Sequence, residues 1–112
     1  MLIKIHLCYT AYFVTFVKMK KPQKKIDNAN VMYWFYSEHE PIFEMPDSEN
    51  KNKIKIHGLT ICKYDSGDKV YKFSCNKNWE VVNDTLYDSI HEALNSTSLQ
   101  YDIKTIKWVK YD

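Results

Sequence analysis

Short apolar and aromatic runs alternate with polar stretches along most of the chain, a pattern typical of antiparallel strands. Residues 31–37 (VMYWFYS) are rich in aromatic side chains and predict a strand. Residues 38–52 contain two prolines and several acidic side chains, so they predict a loop. We expect Ile42, Phe43 and Met45 to anchor that loop to the core, because they are its apolar side chains.

Residues 53–64 and 69–75 predict a hairpin around the loop at residues 65–67. If the apolar side chains of both strands lie on one buried face, the loop must have three residues, with Gly67 in its left-handed position. That register would pair Ile61 with Tyr71 and Leu59 with Phe73. The parity of the apolar positions changes within the first strand, which predicts a bulge at residues 57–58.

The clearest helix signal is a capping box in which Ser89 caps the helix and Glu92 follows three residues later. Apolar side chains at helical spacing predict its inward face: Leu86, Ile90, Ala93 and Leu94. Before the helix, residues 79–82 extend the sheet and residues 83–84 predict a turn. After it, residues 105–111 predict a final strand that is internal to the sheet, because both of its faces carry apolar side chains.

Together these elements predict an α+β fold: an antiparallel sheet of four to six strands with one main helix packed on one face. A chain of 112 residues, 45% of them apolar, can bury the core of one such domain. If the opposite face of the sheet were open, its aromatic side chains would form a patch that marks an interface with a partner or a homodimer.

The beginning of the chain has a different character. Residues 1–17 are apolar but are interrupted by a lysine and a histidine, so they fall short of a membrane span, and their β-branched and aromatic content favours a strand. A helix or membrane contact, and an upstream extension outside the native product, are the alternatives. Residues 18–30 predict a polar, basic connector. We therefore divide the chain into an N-terminal segment, residues 1–31, and an α+β domain, residues 32–112.

The charge is divided unevenly between these two parts. All 16 basic residues are lysine. Residues 1–31 hold six of them and one acid, a net charge of +5, whereas residues 32–112 hold ten lysines and 13 acids, a net charge of −3. Nucleic-acid recognition relies on the bidentate contacts of arginine, so an acidic body without arginine argues against a nucleic-acid partner. An acidic surface instead suits a basic protein partner.

The chain lacks motifs for a cofactor, a phosphate-binding loop or a hydrolase nucleophile, so we predict no cofactor and no enzymatic activity. The three cysteines match no disulfide or zinc pattern and predict reduced, buried thiols in a cytoplasmic protein. Glu38, His39 and Glu40 alternate sides in an extended chain, which predicts a solvated loop and no metal site. The catalytic alternative pairs Cys75 with His57, which would lie opposite it if the predicted register holds through the bulge.

Residues 71–94 combine an aromatic strand that ends in a cysteine with a tryptophan, an aspartate before a turn, and a Ser-x-x-Glu-Ala helix start. The residues concerned are Phe73, Cys75, Asn76, Trp79, Asp84, Ser89, Glu92 and Ala93. This block resembles one found in small, largely uncharacterised bacterial proteins, and the resemblance covers residues 32–112. Such proteins are also similar in size and composition to the immunity proteins of bacterial toxin systems, which is an analogy and not a shared motif.

We therefore expect a non-enzymatic protein-binding module, most concretely an immunity-type inhibitor of a bacterial toxin. Tyrosine and tryptophan supply large contact areas at low entropic cost, and acidic side chains complement a basic toxin. The candidate interface residues are Tyr33, Trp34, Tyr36, Glu38, Glu40, Glu44, Asp47, Glu49 and Tyr87, with Trp79 and Trp108 as further aromatic candidates. The thiol-dependent enzyme, and a membrane-associated accessory protein held by its N-terminal segment, are the alternatives.

Overall fold

The computed structural model describes residues 20–47, 49, 52–96 and 101–112. Its elements are β1 (Lys25–Ile26), β2 (Ala29–Tyr36), β3 (Phe43–Met45), β4 (Ile54–Ile56), β5 (Gly58–Lys63), β6 (Val70–Cys75), β7 (Val81–Tyr87), α1 (Ile90–Asn95) and β8 (Val109–Lys110). The strand predicted at residues 1–17 lies outside the described residues.

The main sheet has six strands in the order β1-β2-β5-β6-β7, with β8 pairing on the outer side of β2. Every pairing is antiparallel. The sheet curls into a half-barrel, and β3 and β4 form a separate two-stranded sheet. The predicted antiparallel sheet with a helix is thus confirmed in outline, although α1 is only six residues long and the protein is mostly sheet.

The chain enters the main sheet earlier than the sequence suggested. Residues 27–28 form a two-residue turn in which both φ angles are positive, 49° at Asp27 and 66° at Asn28, as a type I′ hairpin requires. This turn pairs β1 with β2 and places Ile26 and Ala29 in the core. The division at residues 31 and 32 therefore falls inside β2, and the predicted connector contributes to the sheet.

The β5–β6 hairpin has a different register from the predicted one. Ile61 lies opposite Lys72, and Leu59 lies opposite Ser74, so the pairing is displaced by one residue from the expected arrangement. The connection runs over residues 64–69, and Gly67 does not adopt a positive φ. The parity argument failed because it assumed one buried face, whereas both faces of these strands are buried.

Side chains pack on both faces of the sheet. On one face, the buried core residues are Leu59, Ile61 and Val70 of the sheet with Ile42, Phe43, Ile56, Ala93 and Tyr101 packed over them. On the other face they are Ile26, Ala29, Val31, Cys62, Phe73 and Cys75. Within the described residues both faces of the sheet carry packed side chains, so this part of the chain lacks the open aromatic face that the sequence left as an alternative.

The sequence predicted a bulge at residues 57–58, but at this point the chain passes from the two-stranded sheet to the main sheet. Ile56 ends β4, which pairs with β3, and Gly58 begins β5 of the main sheet. His57 is the single residue between them.

The predicted anchoring of the loop at residues 38–52 is confirmed for Ile42 and Phe43, which are buried, and Phe43 also begins the short strand β3.

Two further predictions are corrected on the C-terminal side of β6. The turn expected at residues 83–84 lies inside β7, and the chain instead reverses at residues 76–79. The final strand is confined to β8 and lies at an edge of the sheet, where Val109 is 43% exposed. The prediction of an internal strand failed because its apolar side chains pack as an irregular segment over the core formed by Ile42 and Tyr101.

The predicted N-cap at Ser89 is confirmed. The backbone N–H of Glu92 donates to Oγ of Ser89 over 3.0 Å. Ala93 is fully buried, and Ile90 and Leu94 pack against the same cluster. Leu86 does not belong to this inward face, because it lies in β7 and is 54% exposed.

Candidate functional site

Three aromatic side chains meet on one face of the main sheet. The ring of Trp79 lies edge-on to Trp34, with 6.2 Å between ring centroids, and 5.4 Å from the ring of Tyr36. The Trp79 ring occupies the space that a side chain at position 58 would fill. A Cβ on Gly58 would lie 2.5 Å from Cζ3 of Trp79. His57 completes the group at 6.4 Å from Tyr36. We call Trp34, Tyr36, His57 and Trp79 the aromatic cluster.

A tight turn presents Trp79 to this cluster. Oδ1 of Asn76 accepts hydrogen bonds from the backbone N–H groups of Asn78 and Glu80, at 2.9 and 3.0 Å. The turn holds Trp79 at a φ of 63°, a left-handed conformation that a bulky residue adopts only when its surroundings enforce it. The indole N–H of Trp79 donates to the carbonyl of Lys20 at 2.9 Å, which ties this turn to the start of the described chain.

Two clefts flank the turn at residues 76–80. One, of about 410 Å³, is lined by Glu38, Ile54, Lys55, His57, Asn76, Lys77 and Asn78. The other, of about 640 Å³, is lined by Lys21, Gln23, Lys25, Ile26, Asp27, Asn78, Trp79, Glu80 and Val81. Both mix cationic and anionic side chains, so neither provides a pocket of a single charge.

The acidic candidates lie along the chain that leads away from the aromatic cluster. Glu38 forms an ion pair with Lys20 at 2.8 Å and lines the smaller cleft. Beyond it, Glu40, Glu44 and Glu49 are exposed, and none of the three forms an ion pair within the described part of the chain. Asp47 is half-buried, and its Oδ1 accepts from the backbone N–H of Glu49 at 3.0 Å. We call Glu38, Glu40, Glu44, Asp47 and Glu49 the acidic segment.

The structure divides the predicted interface residues between two faces. Trp34 and Tyr36 belong to the aromatic cluster, and of the acidic segment Glu38 lines the cleft beside it. Glu44 lies in β3, whose residue Phe43 packs over the other face of the sheet. The carbonyl of Lys77 accepts from the Tyr36 hydroxyl at 3.2 Å. Burial and the Glu38 carboxylate raise the pKa of Tyr36, so the phenol stays protonated as that donor. Tyr33 and Tyr87 pack on the opposite face around Ile61 and do not belong to the same surface.

Around Tyr87 lies a polar group that the sequence did not predict. Lys72 is only 3% exposed, and its Nζ donates to the carbonyl and the Oγ of Ser96, at 3.1 and 2.8 Å. The Tyr87 hydroxyl lies 2.7 Å from the same Oγ. Burial lowers the pKa of Lys72 to about 8. The sequence analysis expected β6 to bury only the face that carries Tyr71 and Phe73. Lys72 alternates with them, so its burial on the other face was not foreseen.

The pair Cys75 and His57 has the geometry of a packed thiol. The backbone N–H of His57 donates to the carbonyl of Cys75 at 2.9 Å, and Nδ1 of the imidazole lies 2.7 Å from the carbonyl of Ser37. Cys75 is fully buried, and burial raises the pKa of its thiol to about 12. A nucleophilic cysteine needs a lowered pKa and access to solvent, so this site has the opposite properties.

Among the described residues, no three His, Cys, Asp or Glu side chains are placed to hold a metal ion together. The same part of the chain has no helix with the length and apolarity needed to cross a membrane.

Comparisons with protein-family models, with curated proteins and with solved structures each found no match.

Proposed function

We propose that the chain is a non-enzymatic protein-binding module, most concretely an immunity-type inhibitor that binds a basic bacterial toxin in the cytoplasm. One observation carries the proposal: the exposed carboxylates of Glu40, Glu44 and Glu49 form no ion pair among the described residues, although Glu44 lies opposite Lys55 in the β3–β4 sheet. Carboxylates that are not neutralised within their own molecule are available to the lysines and arginines of a partner.

The neighbouring aromatic cluster supports this proposal. Interfaces are stabilised chiefly by a few aromatic anchors, and charged groups around them steer association and select the partner. Tyr36 and Trp79 lie where the acidic segment begins, next to the cleft that Glu38 lines. Their positions are fixed by hydrogen bonds, so little ordering would be required on binding.

Attraction between the acidic segment and a basic partner has a consequence that can be measured. Exposed charges are screened by salt over a distance of about 10 Å at 0.1 M ionic strength. Association should therefore slow as salt is added, whereas dissociation, which depends on the packed aromatic contacts, should change less.

The test uses the full chain and the toxin-like proteins encoded beside its gene. Each is examined for binding at low and high salt, and for growth protection when both proteins are expressed together. The triple variant Glu40→Gln, Glu44→Gln, Glu49→Gln should weaken binding about tenfold or more, mainly through the association rate. The matched control Asp68→Asn, Asp84→Asn, Glu92→Gln removes three exposed carboxylates elsewhere and should bind like the unchanged chain.

Equal losses in the two triple variants would show that net charge matters and the acidic segment does not, which would remove the proposed site. If the chain neither binds nor protects against any neighbouring toxin, the inhibitor proposal itself is overturned.

A further inference from the structure

Three polar side chains converge where α1 ends. Ser96 caps the C-terminus of the helix, and its Oγ lies 2.8 Å from Nζ of Lys72 and 2.7 Å from the hydroxyl of Tyr87. Ser96 is half-buried, whereas Lys72 is only 3% exposed. A hydroxyl held against a buried amine is the arrangement of a serine nucleophile and its general base.

From this geometry we propose that Ser96 is an activated nucleophile with Lys72 as its general base, and that it accepts the acyl group of small carboxylic esters. This activity would replace the non-enzymatic part of the proposed function, and it is independent of toxin binding, because the acidic segment has no part in it.

The surroundings of Lys72 favour its neutral form. All carboxylate side chains of the protein belong to the described residues, and none of them forms an ion pair with Lys72. Nζ lies 5.2 and 5.6 Å from the centroids of the Tyr87 and Trp108 rings; these contacts by themselves favour the ammonium, but they do not offset its burial. Burial alone lowers the pKa of this amine to about 8, so close to one-tenth of it is neutral at pH 7.

The chemical step is an ordinary acyl transfer. Neutral Lys72 accepts the proton of Ser96 as Oγ bonds to the ester carbonyl carbon, and the resulting ammonium gives that proton to the departing alkoxide as the ester C–O bond breaks. Water then attacks the acyl-serine, its proton passes to Lys72, and the carboxylic acid leaves as Ser96 regains its proton. Each step balances with the ester and water as the only other reactants.

Tyr87 acts as a positioning residue. When Lys72 is neutral, Oγ of Ser96 donates to Nζ, and the Tyr87 hydroxyl can donate to Oγ. This fixes the direction of the serine proton toward the base. A second hydrogen bond from Nζ to the Ser96 carbonyl, at 3.1 Å, holds the amine against the same residue.

The experiment treats the full chain with a fluorophosphonate, which forms an Oγ–P bond with an activated serine and releases fluoride, and then locates the adduct by peptide mapping. We expect one adduct per chain, on Ser96. Labelling should rise about tenfold between pH 7 and pH 9, following the neutral fraction of Lys72. Hydrolysis of p-nitrophenyl acetate should follow the same profile.

Four variants separate the roles. Ser96→Ala should abolish labelling, and Lys72→Met should reduce it about 100-fold, the usual contribution of a general base. Tyr87→Phe should slow labelling while keeping the pH profile, whereas Ser66→Ala, in an exposed loop, should change nothing. Melting curves establish that each variant is folded, and toxin binding by Ser96→Ala should be unaltered.

Adducts on other residues, or labelling of Lys72→Met at the rate of the unchanged chain, would overturn the proposal. So would a labelling rate of the unchanged chain that does not vary between pH 7 and pH 9, a result that does not depend on how any variant folds.

Discussion

Gly58 and Trp79 are in direct contact across two elements that are 21 positions apart in the sequence, and the contact leaves no room for a Cβ. A methyl group on Gly58 would lie 2.5 Å from Cζ3 and 2.8 Å from Cε3 of Trp79. Gly58, the first residue of β5, thus forms the surface on which the Trp79 ring of the aromatic cluster packs. Since the φ of Gly58 is not positive, glycine is required here by space and not by backbone conformation.

Gly58→Ala should therefore lower the free energy of unfolding by about 1–3 kcal/mol, the usual cost of an overpacked site. Chemical denaturation with tryptophan fluorescence measures both the stability and the displacement of the indole. Gly67→Ala is the matched control, because its Cβ would meet nothing nearer than Tyr64 at 4.0 Å. Trp79→Leu combined with Gly58→Ala should cost less than the sum of the two changes; additive costs would contradict the contact.

The buried Lys72 should make stability depend on pH in the alkaline range. Its pKa is about 8 in the folded chain and 10.5 ordinarily, so the unfolded chain binds more protons between these values. The destabilisation by the buried cation is therefore complete below pH 8 and is lost as the pH rises to 10.5. Lys72→Met should raise the free energy of unfolding by about 1–3 kcal/mol at pH 7.

That gain should shrink as the pH rises toward 10.5 and vanish above it, where the lysine is neutral in both the folded and the unfolded chain. Comparing the variant with the unchanged chain isolates Lys72, because Cys62, Cys75 and Tyr101, whose pKa values burial raises, titrate alike in both. A gain that stays constant from pH 7 to pH 10.5 would show that Lys72 is not desolvated.

The two described cysteines should react slowly with alkylating agents. Burial raises the pKa of Cys62 to about 11 and that of Cys75 to about 12, so at pH 8 their thiolate fractions are at least about 100-fold below that of an exposed thiol. Iodoacetamide labelling with peptide mapping measures each site, and both should label fully in guanidinium chloride. Rapid native labelling of Cys75 would instead support the thiol-dependent enzyme.

The Ser89 cap of α1 should contribute measurably to the free energy of unfolding. Ser89 accepts from the backbone N–H of Glu92, and replacing such a cap by alanine costs about 1 kcal/mol. Ser89→Ala should lower the midpoint of urea denaturation by the corresponding amount without changing the slope. Ser66→Ala, in an exposed loop, serves as the control. Equal effects of the two changes would show that the cap does not stabilise the helix.

The features that the sequence predicted correctly depend on neighbouring residues. The N-cap at Ser89, the aromatic strand β2 and the anchoring by Ile42 and Phe43 each follow from side-chain types within a few positions. The assignment of Tyr36 and Glu38 to a protein interface, made because aromatic and acidic side chains follow one another there, stays a prediction. These predictions do not depend on contacts with residues distant in the sequence.

The register of β5 on β6 was decided by tertiary structure. The parity of Leu59, Ile61, Tyr71 and Phe73 assigns them to one face only if the other face is in water, and in the curled sheet both faces are covered. The same curling buries Lys72 beside Ser96 and folds Trp79 over Gly58. Local pattern determined the strands β2, β5 and β6 and the start of the helix. The partners of those strands depended on contacts between residues distant in sequence, which no local pattern encodes.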